Sequence, residues 1–370
     1  MTGDLLGLRD WLTSWDITLV GMESTGVYWK PVYYLLEDEL GCWLLNARHL
    51  RNVPGRKTDM ADAAWIAQLL AHGLVQPSFV PQPIRELRNL TRYRKAQIDE
   101  RGREAQRLDK ILQDAGIKLS SVATDILGVS GRAMLAALVQ GSRDPEALAE
   151  LAKGLLRKKI PALRDALTSR FGAHHALLVG EVLAKLDYLD EAIGRLSVEI
   201  DQVIAPFDHQ RDLLTTAVGI DRRTAEGLIA EIGVDMAVFG TAERLASWAG
   251  RCPGQHESAG KSKSGRTRKG NKWLRIYLHD AAMGAIRSKG TYPAAQYARI
   301  KGRRGHFNAL GAVQHSLLVA CFHMLDRDQP YHDLGGDYFT RLHNPQRRAR
   351  RLLHELDALG YTVTAEPPAA

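Results

Sequence analysis

The chain has 370 residues, 45% of them hydrophobic and 25% charged, with a formal net charge of +8 and a pI near 9.4. Such a chain is globular and long enough for two or three domains, and its basic balance favours an anionic partner. Cys42, Cys252 and Cys321 lie far apart, which fits neither a disulfide framework nor a Cys-x-x-Cys metal site. With no signal peptide and no bilayer-spanning run read, the expected compartment is a reducing cytoplasm.

Residues 5–14 predict a short helix, with no strand before it. Ile17 to Met22 is apolar and β-branched, so it predicts a buried strand. Glu23 follows at the strand's carboxyl end, where open α/β sheets gather their chemistry; a solvated loop glutamate is the alternative. Residues 29–38 predict a helix, with Pro31 tolerated in its first turn, and Trp43–Asn46 a second strand. The basic loop His49–Arg56 leads into a helix that Thr58 can cap, with Ile66, Leu69 and Leu70 on its apolar face. Asp59 and Asp62 stand three apart on the first turn of that helix. Two carboxylates so close repel unless a cation lies between them, and hard Mg²⁺ takes oxygen ligands. The alternative is that both acids simply complement the helix dipole.

Pro77 to Pro83 reads as a domain boundary. A long helix from Ile84 to Ala115 follows, with an apolar seam of Leu87, Leu90, Ile98, Ala105, Leu108 and Leu112. Its other faces carry Arg85, Arg88, Arg92, Arg94, Lys95, Arg101, Arg103, Arg107 and Lys110, either a solvated surface or one that tracks phosphates. Small helices are expected over 116–172. Leu178, Val182, Leu186, Leu189, Ile193, Leu196, Ile200 and Val203 then predict a coiled-coil arm. Its partner is either the 84–115 helix or a second subunit. Pro206 ends the arm. Residues 213–233 predict a helix-hairpin-helix, whose Val218-Gly219-Ile220 turn could offer amides to a phosphate; an ordinary helix connection is equally open.

From Lys261 to Arg275 there are seven basic residues and no acid: Lys261, Lys263, Arg266, Arg268, Lys269, Lys272 and Arg275. Gly254, Gly260, Gly265 and Gly270 make this a flexible loop that a backbone can approach closely. Small residues, positive charge and a hydroxyl are what phosphoryl transfer to serine needs. Ser258 competes with Ser262 and Ser264 for that role, and plain backbone binding is the alternative. Further basic clusters are Arg299-Lys301-Arg303-Arg304 and Arg347-Arg348-Arg350-Arg351. A helix over Ala309–Leu325 should close the last core, and Ala365–Ala370 should be disordered.

Three ordered motifs, Met22-Glu23-Ser24-Thr25-Gly26-Val27-Tyr28-Trp29, Lys57-Thr58-Asp59-Met60-Ala61-Asp62-Ala63 and Glu257-Ser258-Ala259-Gly260-Lys261, resemble those of the DEDD insertion-sequence transposases. The resemblance implies a fold of α/β plus mostly α parts. Residues 1–80 would be a partial RNase H-like (RuvC-like) domain and 84–205 a helical, coiled-coil region. Residues 206–345 would be a serine-bearing transposase domain with a helix-hairpin-helix, and 346–370 a basic helix and tail. It implies that Glu23, Asp59 and Asp62 bind Mg²⁺ and that Ser258 attacks a DNA phosphodiester to form a transient phosphoserine link. It also implies a guide RNA from the element and a dimer or tetramer. The family's first acid belongs to a strand upstream of the Glu23 motif, and Asp4, Asp10 and Asp16 stand in the wrong context for it. The expectation is therefore that the chain lacks that strand and that this form is poorly active or inactive. The competing functions are a non-catalytic nucleic-acid-binding remnant and a metal-dependent nuclease that uses water.

Overall fold

The computed structural model describes residues 2–24, 26–46, 62–79, 84–254, 256–258, 261–264, 267–341 and 345–363. They fall into two compact units, Met1–Arg85 and Glu86–Ala370. In the first unit, α1 (Thr2–Ser14) leads to β1 (Leu19–Glu23), α2 (Trp29–Leu36) and β2 (Gly41–Leu45). The strands pair in parallel, from Leu19 opposite Gly41 to Glu23 opposite Leu45. The Ser24 amide, donating to the Leu45 carbonyl, extends the ladder past Glu23. Parallel strands need a crossover, and α2 supplies it.

β1 starts two residues later than its apolar run because Ile17 belongs to the end of α1. Its amide donates to the Leu12 carbonyl across Asp16, which has φ of +51°, a pattern that closes helix C-termini. α3 (Asp62–Ala71) presses Ile66 and Leu70 against β1 at Gly21, where a Cβ would collide with the Leu70 side chain. The small core gathers Leu45, Leu69 and Val75, with Trp43, Trp65, Ile66 and Leu70 packed on it. α1 buries none of its residues. Among the described residues this unit's sheet has two strands, a parallel α/β pair. Thr58 and Asp59 lie outside the described residues.

The second unit is organised by two long helices, α4 (Arg85–Asp114) and α9 (Ala173–Ile204). They run antiparallel: Arg94 reaches Ser197, Arg101 pairs with Asp190, Glu104 with Lys185 and Asp114 with His175. The partner of the arm is thus a helix of the same chain. Between them in sequence come α5 (Leu119–Val122), α6 (Val129–Val139), α7 (Pro145–Glu150) and α8 (Ile160–Leu167). These close one end of the pair around Leu108, Leu112, Met134, Leu135, Leu163, Val179 and Leu186.

The apolar seam of α9 differs from the expected one at its start. Burial follows His175, Val179, Val182, Leu186, Leu189 and Ile193, while Leu178 is 47% exposed. His175 sets this register. Its Nδ1 accepts the Gly172 amide at 3.0 Å and its Nε2 lies 3.0 Å from the Asp114 carboxylate, locking the first turn of α9 onto the end of α4.

The remaining elements are α10 (Asp208–Thr215), α11 (Arg222–Ile232), α12 (Ala242–Trp248), β3 (His256–Ser258), β4 (Lys261–Ser264), α13 (Lys272–Ala285), α14 (Tyr292–Arg327), α15 (Tyr338–Arg341) and α16 (Pro345–Ala358). α11 is the central helix, buried at every residue from Thr224 to Ile232. α14 is long and apolar enough to cross a membrane, so the expectation of no such segment is corrected. Half of its apolar window is buried inside the unit, as in a core helix.

Candidate functional site

Glu23 ends β1, and Asp62 opens the described part of α3. Glu23 lies two residues beyond Gly21 on the strand, so the two share a sheet face. Asp62 lies one helical turn ahead of Ile66, so it shares the helix face that Ile66 presents to Gly21. Helix packing thus gives both acids to one α3–β1 interface, and both are half-buried. Their carboxylate oxygens are the donor type a hard divalent cation takes.

The bases of α4 do not form a phosphate-tracking face. Arg92 makes two bonds to Glu231, at 2.7 and 2.8 Å, and Arg88 donates to the Ala230 and Glu231 carbonyls at the end of α11. Arg94, 3% exposed, pairs with Glu226 at 2.6 Å. Lys95 bridges Asp99 and Asp280, while Arg101, Arg103 and Arg107 pair with Asp190, Glu100 and Glu104. These side chains are internal cross-links. A buried carboxylate such as Glu231 requires such partners, because an unpaired buried charge is far more costly than a paired one.

The same Glu231 positions the basic loop. Its Oε2 accepts the Asn271 side-chain amide at 2.5 Å, and the Asn271 Oδ1 caps α13 by accepting the Trp273 and Leu274 amides. Residues 251–269 therefore leave and re-enter the core through a fixed neck. There Gly250 and Gly270 pack so closely that a Cβ on Gly250 would stand 2.6 Å from the Arg268 carbonyl. Arg251, on the other side of the neck, donates to Gln314 at 2.7 Å, and its carbonyl meets His315. Burial, then the nearby charge of Arg275, pushes the Arg251 pKa down.

Beyond the neck the chain is a β-hairpin where a flexible loop was expected. β3 and β4 pair antiparallel, with Ser258 opposite Lys261, Glu257 opposite Ser262 and His256 opposite Ser264 across an irregularity. Ser258 is the last residue of its strand, which puts it at the tip of the hairpin. Lys263 lies in β4, and Arg266 falls outside the described residues. Arg268, Lys269, Lys272 and Arg275 are all exposed, and among the described residues none has an ion-pair partner. Lys272 also lies over the Trp273 ring, 5.6 Å from its centre. The free positive charge of this region thus sits at the neck and the first turn of α13.

In the turn between α10 and α11, to which the helix-hairpin-helix reading assigns phosphate contacts, the Ile220 amide donates to the Ala217 carbonyl. Asp221 caps α11 with its own carboxylate, accepting the Thr224 amide at 2.8 Å, so an anion already occupies that end. Gly219, at φ +87°, lies against the α13 backbone, and Ile220 is buried.

Among the described residues one cluster of three, Asp114, His174 and His175, could supply metal ligands. The capping bonds engage both ring nitrogens of His175. Metal on Nε2 would place a proton on Nδ1 facing the Gly172 amide hydrogen. The cluster is therefore a structural lock, and its hydrogen bond holds the Asp114 carboxyl below the usual range.

Two family models match the chain in order. The DEDD transposase model of the IS110 group covers residues 3–117, and the model described as "Transposase IS116/IS110/IS902 family" covers 211–298. The chain belongs to the IS110 transposase family. The first match contains Glu23, Asp59 and Asp62, and the second contains Ser258 and every basic residue from Lys261 to Arg275. A pilin gene-inverting protein of Moraxella bovis is 30% identical over 149 residues, which are 38% of this chain and 45% of that protein. The match thus spans less than half of that relative's length. The two matched segments thus hold the first-unit acids and the basic stretch beside Ser258.

Proposed function

We propose that this IS110-family chain is a DNA transposase that cleaves and rejoins strands through Ser258, with Glu23, Asp59 and Asp62 holding Mg²⁺. The observation that carries this reading is the distribution of charge. Most of the basic side chains of α4 are neutralised within the protein, whereas Arg268, Lys269, Lys272 and Arg275, beside the Ser258 hairpin, are not. The activity in the relative's name, inversion of a gene, is itself a DNA rearrangement and supports the same class.

The Ser258 Oγ forms a bond to phosphorus as the bond to one strand end breaks. That end leaves as a hydroxyl and takes the serine proton. Attack by the hydroxyl of a second strand reverses the step, seals the new junction and frees Ser258. Bound Mg²⁺ would neutralise charge that gathers on the phosphate. The bases at the neck hold the strand by its phosphates, and Lys261 lies directly across the ladder from Ser258. In the same reading residues 1–80 are the RuvC-like metal domain, 84–205 a coiled-coil arm and 206–345 the serine domain. A guide RNA selects the DNA sites, and the working form is a dimer or tetramer.

The test is Ser258→Ala. It should abolish both strand cleavage and the covalent protein–DNA adduct while DNA binding persists. Chelation of divalent metal should stop cleavage in the parent chain. Cleavage that survives Ser258→Ala would instead assign the reaction to a metal-dependent nuclease using water.

A further inference from the structure

α14 is broken at Gly305, which adopts φ +77° and ψ 173° inside an otherwise helical run. A Cβ there would meet nothing within 4 Å, so glycine is needed for the backbone conformation and not for space. The break makes an elbow, and the residues around it are unusual. Lys301, Arg303 and Arg304 precede it and are exposed; Phe307 follows it and is 87% exposed. Arg303 and Arg304 have no ion-pair partner among the described residues, unlike the arginines of α4. Nearby groups hold the elbow's shape. The Tyr297 hydroxyl lies 2.7 Å from the His306 Nδ1, Lys301 sits over the Tyr297 ring, and Phe307 stands 5.2 Å from the His306 ring. Arg299, the remaining member of this basic cluster, is engaged over Phe339.

We propose that this elbow is a binding site for single-stranded DNA, with an unpaired base stacked on Phe307 and the flanking phosphates held by Arg303 and Arg304. A fully exposed phenyl ring beside two unpaired guanidinium groups matches the chemistry of single strands, whose bases present open faces next to an anionic backbone. Duplex DNA hides those faces. The identification of the strand as DNA rests on the function proposed above, in which a cut strand leaves one partner to be joined to another.

The experiment uses the full chain and fluorescence anisotropy with a labelled oligothymidylate, the same length of oligouridylate, and a mixed-sequence duplex. Phe307→Ala should weaken oligothymidylate binding about five- to hundredfold, the range for removal of one stacked base. Duplex binding should change less than twofold, and Phe307→Trp should restore the parent affinity. Arg303→Ser with Arg304→Ser should reduce the salt slope for the single strand by about 1.4, or about 0.7 for each phosphate left without its arginine. Phe307 is on the surface, so the variants should melt with the parent. Equal losses on single strand and duplex, or no loss at all, would overturn the site. A loss confined to oligouridylate would overturn its assignment to DNA. A Phe307→Ala chain that only loses self-association would make the elbow an interface between copies and sink the proposal. Strand cleavage is not read here, so an inactive chain whose oligothymidylate binding still depends on Phe307 would refute the proposed function and leave the site standing.

Discussion

Replacing Glu231 by Gln tests whether the buried charge node holds the neck of the serine hairpin. Glu231 is fully buried and faces Arg92 at 2.7 Å, Asn271 at 2.5 Å and Arg88 at 3.9 Å. Removing one partner of a buried pair costs about 3–5 kcal/mol. The Arg92 side chain keeps 31% of its surface in water, so the lower end, about 3 kcal/mol, is the expected loss. Two units in one chain make a single global unfolding energy a poor readout, and a local one is better. The Trp273 and Leu274 amides donate to Asn271 Oδ1 at 2.9 and 3.2 Å, and Asn271 is held by Glu231. Hydrogen exchange at these two amides should accelerate about a hundredfold in Glu231→Gln, since each 1.4 kcal/mol is about a factor of ten. The double variant Arg92→Met with Glu231→Leu should recover stability, with a coupling of about 2 kcal/mol, because an apolar pair replaces a broken ionic one, while the two amides stay fast because leucine cannot hold Asn271. Exchange within threefold of the parent in Glu231→Gln would show that the node does not hold α13 and would refute the reasoning.

Leu186→Ala, at a fully buried position in the arm, should cost about 2–5 kcal/mol. Leu178→Ala should stay within about 0.5 kcal/mol because its side chain is outside the seam; urea denaturation compares the two. Gly21→Val should force α3 off β1, at about 1–3 kcal/mol for overpacking, and should weaken Mg²⁺ binding followed by calorimetry. Hydrogen bonds from Arg103, then Lys185, lower the Glu100 pKa to about 2, and Lys185, ahead of Arg107, lowers that of Glu104. These carboxylates are depressed relative to 4.5, so their contribution is complete above pH 4.5 and is lost as pH falls toward 2. Thermal melts by circular dichroism should show this decline, and Lys185→Met should flatten it. Arg268→Ser with Lys269→Ser should lower the salt slope of duplex binding by about 1.8, that is, about 0.9 for each phosphate no longer neutralised.

The elements that sequence made legible are those whose signals are local. β1, β2, α2, α4 and α9 follow from apolar runs, period and length, and their ends move by a few residues where a helix end or a distant contact claims a residue. Ile17, drawn into the C-terminal turn of α1, is one case. Leu178 is another: the seam was expected to start there, and what chose Val179 was the His175 lock with Asp114, a contact between residues 61 positions apart. The acids of the first unit were legible because a strand end and a helix start are themselves local features. The packing of the helix that begins at Asp62 against the strand that ends at Glu23 was not legible, since it depends on Ile66 and Leu70 crossing Gly21.

Charge was the least legible property. A run of arginines looks the same in sequence whether it faces a phosphate or a buried carboxylate. Arg88, Arg92 and Arg94 meet residues from 132 to 143 positions away, and no window around α4 contains Glu226 or Glu231. The converse signal lay in α11, where Glu226 and Glu231 occur in a helix whose other positions read as core. Acids at core positions demand partners, and only the most basic long helix of the chain could supply several at once. Most of the positive charge of α4 is thus matched by carboxylates of the same unit. The excess that gives the chain its net charge of +8 includes bases at the neck of the Ser258 hairpin and at the Gly305 elbow that have no ion-pair partner among the described residues. Those are the places where an anionic strand gains most from binding.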